Sequence, residues 1–218
     1  MYELKQREGH LEILNLDAPK QKPIFVDFTS NAHNFRRLHG GGRGQPIAKA
    51  IGLKTYALPL SVIDATAGLG SDAFVLACLG CQVHMIERST AIAQLLADGL
   101  KRLHASGLIP EVSKRLSLTQ NQASDHLLQL APKNYPDVIY LDPMFPEREK
   151  SGSVKKEMIM LREVVGDDQD ASRLLSIALT VAKKRVVVKR SKLAPALEGP
   201  LPTTILKGKA NRFDIYIP

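Results

Sequence analysis

The segment of residues 140–146, Tyr-Leu-Asp-Pro-Met-Phe-Pro, contains the residue types best suited to chemistry on a planar amine. It ends the apolar run 138–141, and a strand that stops at an Asp-Pro pair presents a carboxylate and a rigid carbonyl at the rim of a cleft. The carboxylate of Asp142 and the carbonyl of Pro143 would accept the hydrogens of an exocyclic base amine, and Phe145 would stack on the base. We therefore predict a catalytic centre at Asp142, Pro143 and Phe145; the alternative is a proline-bounded loop that only caps a strand.

A glycine-containing turn predicts a second site, for a small-molecule cofactor. The strand-like run 61–64 leads into residues 65–72, Ala-Thr-Ala-Gly-Leu-Gly-Ser-Asp, and then into a helix. Glycines in such a turn let the backbone approach a ligand at the carboxyl end of the strand. The spacing of Gly68 and Gly70 also fits a dinucleotide fingerprint, with Glu87 placed 19 residues after Gly68 to bind a ribose hydroxyl. A nicotinamide-dependent oxidoreductase is therefore an alternative, and a turn without a ligand is another.

Two features favour S-adenosylmethionine over a dinucleotide. Asp64 ends the strand four residues before Gly68, where its carboxylate would meet the ammonium of a methionine moiety. The loop between these two residues is also longer than a tight pyrophosphate turn requires. Amine-directed methyltransferases carry a related Asn/Asp-Pro-Pro-Tyr/Phe pattern at the strand end where this chain has Asp142. The residues thus predict a methyl donor beside a planar amine, with catalysis mostly by proximity and alignment.

The elements that must position these residues follow from the hydrophobic pattern. From Gln45 onward, apolar strands alternate with amphipathic helices, which predicts an α/β, doubly wound, mainly parallel sheet of the Rossmann-like class I methyltransferase type. The predicted strands are Ser61 to Asp64, Gln82 to Glu87, Leu116 to Thr119, Asp137 to Leu141 and Arg185 to Lys189. The predicted helices are 71–79, 89–105, 124–131 and 171–183. Thr203 to Lys207 and Arg212 to Ile217 are separated by four residues, which predicts a C-terminal antiparallel hairpin.

The first 45 residues predict a small β-rich appendage, and residues 46–218 predict the domain that binds S-adenosylmethionine. Strand-like runs occur at Leu11 to Leu16 and at Ile24 to Phe28, and a basic glycine-rich loop follows from His39 to Gly44.

Composition and charge limit the classes of function. The chain has 30 Lys and Arg against 22 acidic residues, a formal net charge of +8, which favours a polyanionic partner. No apolar run of about 18 residues is present to cross a bilayer, and charge near the N-terminus argues against a signal peptide, so we predict a cytoplasmic protein without a membrane partner. Cys78 and Cys81 lack two further ligands at zinc-site spacing, so we predict buried or half-buried thiols and no metal.

Basic residues near the catalytic segment are candidates for contact with RNA phosphates. Lys189 and Arg190 end a predicted strand at the carboxyl edge of the sheet, and Lys155 and Lys156 follow the Asp-Pro loop, so both pairs should face the cleft. Arg43 belongs to the glycine-rich loop, which could bind an anion. The alternatives are a solvated surface for the basic residues and a hinge for the loop.

These motifs together resemble the ribosomal RNA small-subunit methyltransferase J family over nearly the whole chain. The glycine block 64–75 is generic, whereas the combination of Asp-Pro-Met-Phe-Pro at 142–146 with Val-Lys-Lys-Glu-Met at 154–158 is specific. The other segments that carry the resemblance are Val26-Asp27-Phe28, Arg36-Arg37 with 40–44, Glu87-Arg88, Lys150-Ser151, 184–190 and 212–216.

The resemblance implies methylation of the N2 amine of a guanosine in 16S ribosomal RNA, free or within the small ribosomal subunit, with S-adenosylmethionine as the cofactor. It further implies that Asp142 lies between cofactor and substrate. The other cofactor-binding residues that it implies are Ser71, Asp72, Glu87, Arg88, Ala123 and Ser124, in addition to Asp64, Gly68 and Gly70 from the pattern itself. Ser71 stands where the family has an arginine. An RNA-binding module without catalysis is the remaining alternative.

Overall fold

A computed structural model describes residues 1–30, 42–56, 59–144, 156–166 and 168–218 of the chain. The strands are β1 (Tyr2–Arg7), β2 (His10–Asn15), β3 (Ser61–Asp64), β4 (Gln82–Glu87), β5 (Leu116–Gln120), β6 (Val138–Leu141), β7 (Arg185–Ser191), β8 (Thr204–Lys207) and β9 (Asn211–Tyr216). The helices are α1 (Pro46–Ala50), α2 (Ser71–Cys78), α3 (Thr90–Ser106), α4 (Pro110–Ser113), α5 (Ala123–Leu128), α6 (Lys156–Val165) and α7 (Ala171–Val181). Short 3-10 turns occur at Gly42–Gly44 and Pro132–Asn134.

Seven strands form one sheet, in the order β5-β4-β3-β6-β7-β9-β8. The strands from β5 to β7 are parallel, whereas β9 runs antiparallel to both β7 and β8. The predicted mainly parallel sheet with a C-terminal antiparallel hairpin is therefore confirmed. Because β3 lies between β4 and β6, successive crossovers leave the centre of the sheet in opposite directions, and ligands of such sheets bind at the carboxyl ends of the strands at that point.

Helices cover both faces of the sheet and bury its central strands. Residues of α1, α2 and α3 share one hydrophobic core with one face, and residues of α5 and α7 share a second core with the other. All four residues of β6 are buried, as expected for a central parallel strand whose sequence is a continuous apolar run. This packing fixes the backbone from which the next residue, Asp142, projects at the edge of the sheet.

The N-terminal hairpin of β1 and β2 packs against α3. The backbone N–H of Leu11 donates to Asp98 of α3 at 3.1 Å, and Ile13 is buried in the same core as α2 and α3. The prediction of a strand at Ile24 to Phe28 is wrong, since only Ile24 forms a bridge, to Ile13. The division into units 1–45 and 46–218 stays a prediction.

Several further elements differ from the prediction or complete it. The alternation of Tyr2 and Leu4 with polar residues forms β1, which we did not predict, and α6 is a helix where only a sequence motif was recognised. Cys78 is half-buried and Cys81 is buried, which confirms the predicted burial, and neither forms a disulfide. Among the described residues, no helix has the length and apolar composition needed to cross a bilayer, and no cluster of three or more His, Cys, Asp or Glu side chains is arranged to hold a metal.

Candidate active site

The carboxyl ends of β6 and β7 and the start of α2 bring together a lysine and two aspartates. Register pairs Leu141 of β6 with Val188 of β7, so the next residues, Asp142 and Lys189, lie side by side at the edge of the sheet. The ammonium of Lys189 lies 2.8 Å from Oδ2 of Asp142 and 2.8 Å from Oδ2 of Asp72. One cation thus holds two carboxylates that come from different elements.

The charges in this cluster stabilise one another. Burial would lower the pKa of Lys189, but the charges of Asp142 and Asp72 outweigh it and raise the pKa above its usual range, so the ammonium stays charged. The side chain of Asp142 is 40% exposed at the carboxyl edge of the sheet. Loss of water around the carboxylate raises the pKa of Asp142, and the positive charge of Lys189 opposes that rise. The Oδ1 atom of Asp142 has no hydrogen-bond partner in the described part of the chain, so it can accept a hydrogen from a ligand.

Tyr140 extends this network into the core. It is fully buried in β6, and its hydroxyl donates to Oδ2 of Asp72 at 2.8 Å. Burial and the charge of Asp72 raise the pKa of Tyr140 well above its usual value, so the phenol remains a neutral donor. Asp72 therefore accepts from both Tyr140 and Lys189, and its orientation is fixed from two sides.

Asp64 lies at the end of β3 and is almost completely buried. Its Oδ1 accepts from the backbone N–H of Thr66 at 3.3 Å. Burial, followed by the charge of Asp72, raises the pKa of Asp64 to about 8. Three carboxylates, those of Asp64, Asp72 and Asp142, thus face one ammonium, and a ligand that carries positive charge would stabilise the ionised form of Asp64.

A hydrogen bond joins the loops that follow β3 and β6. The backbone N–H of Asp142 donates to the Oγ1 atom of Thr66 at 2.6 Å. The N–H of Ala65, at the start of the first loop, donates to the carbonyl of Tyr140 at 3.0 Å. The predicted cofactor loop and the predicted catalytic segment are therefore parts of one site.

The glycine turn after β3 leaves open space next to these carboxylates. Gly68 has φ of 54°, which favours glycine, and a Cβ built there would meet nothing within 4 Å. Gly70 has φ of 73°, but a Cβ there would lie 2.8 Å from Leu96 and 2.9 Å from Phe28. Gly68 therefore borders the space available to a ligand, whereas Gly70 is required by packing.

Glu87, at the end of β4, supports this turn. Its Oε2 accepts from the N–H of Gly68 at 2.9 Å, and its Oε1 accepts from the N–H of Ser89 at 2.7 Å. Burial raises the pKa of Glu87, and these two hydrogen bonds oppose the rise. Each carboxylate oxygen has a second lone pair, so Glu87 can hold the turn and also accept from a ribose hydroxyl.

These residues fit S-adenosylmethionine better than a dinucleotide. Open space at Gly68, the Asp64 carboxylate and the Glu87 carboxylate match a ligand that has an ammonium, a sulfonium and a ribose. The excess of carboxylates over ammonium groups would repel the pyrophosphate of a nicotinamide dinucleotide.

Arg88 connects the cofactor side of the site to the start of the catalytic loop. Its guanidinium lies 2.9 Å from Oδ1 of Asp168. Asp168 in turn accepts from the N–H of Met144 at 2.6 Å and donates its own N–H to the Met144 carbonyl at 3.0 Å. Asp168 therefore holds both the N–H and the carbonyl of Met144, two residues after Asp142.

The remaining predicted site residues lie at the starts of helices or directly after a strand, and their contacts with the cofactor or substrate stay predictions. Ser71 begins α2 and is half-buried, and Ala123 and Ser124 are buried at the start of α5. Pro143 is buried beside Asp142. Phe145 and Lys155 lie outside the described residues, and Lys156 is the first residue of α6.

The structure shows the surroundings of three residues predicted to contact RNA. Lys189 is turned toward Asp72 and Asp142 rather than toward solvent. Arg190 is 4% exposed and donates through Nε to the carbonyl of Pro195 at 3.1 Å, so its guanidinium is turned into the protein, and its contact with RNA stays a prediction. Arg43 is exposed in the 3-10 turn Gly42–Gly44, and its contact with RNA stays a prediction.

Sequence reasoning missed four residues of this network: Lys189 in its actual role, Tyr140, Thr66 and Asp168. A Lys directly after an apolar run indicates the edge of the sheet, but it does not indicate which carboxylate the ammonium will contact. The tyrosine in an otherwise aliphatic strand was the one available signal, since a buried Tyr hydroxyl usually has a hydrogen-bond partner.

Comparison with known proteins identifies relatives along the whole chain. The family model described as "Putative SAM-dependent methyltransferase" matches residues 1–218. A ribosomal RNA small subunit methyltransferase J from Pseudoalteromonas atlantica is 53% identical over 218 residues, covering 98% of this chain and 84% of the relative. Another, from Tolumonas auensis, is 54% identical over 211 residues, covering 96% and 84%.

A solved structure agrees with these relatives. The crystal structure of a SAM-dependent methyltransferase from Neisseria gonorrhoeae superposes with a TM-score of 0.78 at 37% identity, over 99% of this chain and 82% of that one. The predicted Rossmann-like methyltransferase fold is thereby confirmed. Neither an oxidoreductase nor an RNA-binding module without catalysis finds support among these relatives.

Proposed function

The chain belongs to the ribosomal RNA small subunit methyltransferase J family, within the S-adenosylmethionine-dependent methyltransferases, and from this premise we propose that it methylates the exocyclic N2 amine of a guanosine in the small-subunit ribosomal RNA. The substrate is either the free RNA or the small ribosomal subunit, and we accordingly place the reaction in the cytoplasm.

The observation that carries this proposal is the position of Asp142. Its carboxylate is anchored by Lys189 through Oδ2, and its Oδ1 remains able to accept a hydrogen at the carboxyl edge of the sheet. The site next to it, lined by Asp64 and Gly68, suits the methyl donor. An acceptor for an amine hydrogen therefore lies beside the cofactor turn, as transfer to nitrogen requires.

The residues of this chain bind the cofactor and the guanine and orient them toward each other. Transfer of the methyl group then requires little general-base catalysis. S-adenosylmethionine supplies, when bound, a methyl group on a positively charged sulfur. Asp142 and the carbonyl of Pro143 hold the two hydrogens of the guanine amine, which directs its lone pair out of conjugation with the ring and toward that methyl group. As the new carbon–nitrogen bond forms and the carbon–sulfur bond breaks, the amine becomes acidic, and Asp142 accepts the proton that it loses.

Lys189 keeps Asp142 ionised for this role, and Thr66 fixes its backbone. Asp64 and Glu87 bind the ammonium and the ribose of the cofactor, and we propose Asp72, Ser71, Arg88, Ala123 and Ser124 as the remaining contacts. Phe145 stacks on the guanine in this proposal, and Lys155 and Lys156 contact phosphates.

The test is a methyl-transfer assay on undermethylated small-subunit RNA and on the corresponding subunit, followed by mass spectrometry of the nucleosides. We expect N2-methylguanosine with the wild type and at least a hundredfold lower kcat for Asp142→Asn, with RNA affinity retained. Asp125→Asn, on the exposed side of α5, is the matched control and should retain full activity. A methyl group found on another atom of the nucleotide would refute the amine assignment, and no transfer to either RNA form would refute the function.

A further inference from the structure

The last part of the chain is unusually basic. Residues 182–213 contain nine Lys or Arg residues and one acidic residue, Glu198. The fold separates these charges. Residues 183–185 lie at the amino edge, where β7 begins. Lys189, Arg190 and Arg212 are engaged in internal contacts at the other end.

Three exposed lysines remain at the carboxyl edge: Lys192, Lys207 and Lys209. Register pairs Lys207 of β8 with Arg212 of β9, and Arg212 with Arg190 of β7. The N–H of Lys192 donates to the carbonyl of Ala210, in the turn that contains Lys209, at 2.9 Å. In the described part of the chain, none of these three ammonium groups forms an ion pair.

These lysines are close to the reactive position but not in it. Lys192 follows Lys189 by three residues, a strand distance of roughly 10 Å, and β8 is two strands away from β7, again roughly 10 Å. Lys189 contacts Asp142 directly. Asp142 follows β6, one strand beyond β7, so the three lysines lie roughly 10–15 Å from it at the same edge of the sheet. Lys207 pairs through Arg212 with Arg190 and therefore projects from the face opposite to Lys189, so it can reach only phosphates that flank the target nucleotide at this edge.

The buried Arg190 and the half-buried Arg212 hold the backbone that carries these lysines. Arg212 donates to the carbonyl of Lys192 at 3.3 Å and is itself held by Asp214 at 2.8 Å. Arg190 bonds the carbonyl of Pro195 in the same segment. The segment is thus fixed before any partner binds, so little of the binding free energy is spent on ordering its backbone.

We propose that Lys192, Lys207 and Lys209 form a phosphate-binding rim that contacts the backbone of the RNA beside the target nucleotide. The inference rests on the proposed function, because it takes RNA as the substrate. Lysine ammonium groups bind phosphates as point charges without reading base sequence, so the rim positions the RNA, and the proposed site at Asp142 selects the base.

The test compares two triple variants with the same change in charge. Lys192→Gln, Lys207→Gln and Lys209→Gln are combined in one protein. The control combines Lys114→Gln, Lys133→Gln and Lys183→Gln, three exposed lysines just before β5, β6 and β7, at the amino edge. The dissociation constant for the RNA is measured at several salt concentrations, together with KM, kcat and the affinity for S-adenosylhomocysteine.

We expect the rim variant to lower the slope of log Kd against log salt by about 2, since each phosphate contact on single-stranded RNA contributes about 0.7. Its KM for RNA should rise at least tenfold, while kcat at saturating RNA and the affinity for S-adenosylhomocysteine stay unchanged. The control should change the slope by less than half as much.

Equal slopes for the two variants would overturn the proposal, because only net charge would then matter. An effect seen with the assembled subunit but not with naked RNA would also overturn it, because the rim would then contact a ribosomal protein. If the wild type methylates no RNA, the proposed function fails, yet the salt slopes still decide whether the rim binds RNA.

Discussion

Replacing Lys189 by Met should move the acidic limb of the pH–rate profile upward. The change removes one positive charge 2.8 Å from Oδ2 of Asp142 and leaves an apolar chain of similar length. A pair of unit charges about 4 Å apart is worth about 1 kcal/mol in water and about 4 kcal/mol at an effective dielectric constant of 20. Because Asp142 is 40% exposed, an intermediate value applies, about 1.4–2.7 kcal/mol, which corresponds to a rise of about 1–2 units in its pKa.

The sign follows from the role of the carboxylate. Asp142 can take up the proton that the amine loses only when the carboxylate is ionised, so activity is lost as pH falls through its pKa. A higher pKa in Lys189→Met moves this loss to higher pH, and the remaining charge of Asp72 acts in the same direction. The plateau should also fall, by about tenfold, because a charged hydrogen bond that fixes Asp142 is lost.

The assay measures the single-turnover rate constant of methyl transfer as a function of pH, from about pH 5 to about pH 9, at about 0.1 M salt. Lys183→Met makes the same replacement at an exposed position before β7 and should leave the profile unchanged. Retained binding of S-adenosylhomocysteine would show that the variant is folded. A Lys189→Met profile that superposes on that of the wild type, or that shifts to lower pH, would refute the role assigned to this ammonium.

Two predictions concern the cofactor. Gly68→Ala should weaken S-adenosylhomocysteine binding at least tenfold and lower Tm only by the backbone strain of its positive φ. Gly70→Ala should lower Tm further, because it has the same strain and its Cβ would also meet Leu96 and Phe28. Calorimetry and thermal unfolding distinguish the two variants, and the reverse order would contradict the site. Since the pKa of Asp64 is about 8, binding a cation beside it at pH 7 should release a proton, and affinity should rise by up to about tenfold per unit between about pH 6 and 8. Calorimetry in buffers of different ionisation enthalpy measures this release, which Asp64→Asn should abolish; proton uptake would be the opposite of what the buried carboxylate requires.

The core strands were predictable from sequence because each is a short apolar run bounded by turn residues. The bounds of β3 and β4 match the prediction at both ends. The same signal failed at Ile24 to Phe28, where Ile24, Val26 and Phe28 are buried in alternation although only Ile24 forms a bridge. Alternation records which side chains are buried, and an irregular segment packed on a helix can satisfy it without a partner strand.

The location of the site could be predicted from the sequence, but the side-chain contacts within it could not. Asp64, Gly68 and Asp142 each follow from a local motif, and parallel strands bring such motifs to one edge. The contact of Lys189 with Asp142 depends on the register of β7 against β6, which no single segment encodes. Arg190 shows the same limit, because the neighbouring position on β7 points to the opposite face, where the carbonyl of Pro195 receives its guanidinium.

The reversed direction of β9 has a practical consequence for handling the protein. Because β9 runs antiparallel to β7, it starts beside Ser191 at the carboxyl edge and ends beside Val186 at the amino edge. A tether or affinity tag fused after β9 would therefore leave from the side of the molecule opposite to Asp142. Protein immobilised in this way would present the Asp142 edge of the sheet to the solution, where a particle as large as a ribosomal subunit could approach without steric interference from the support.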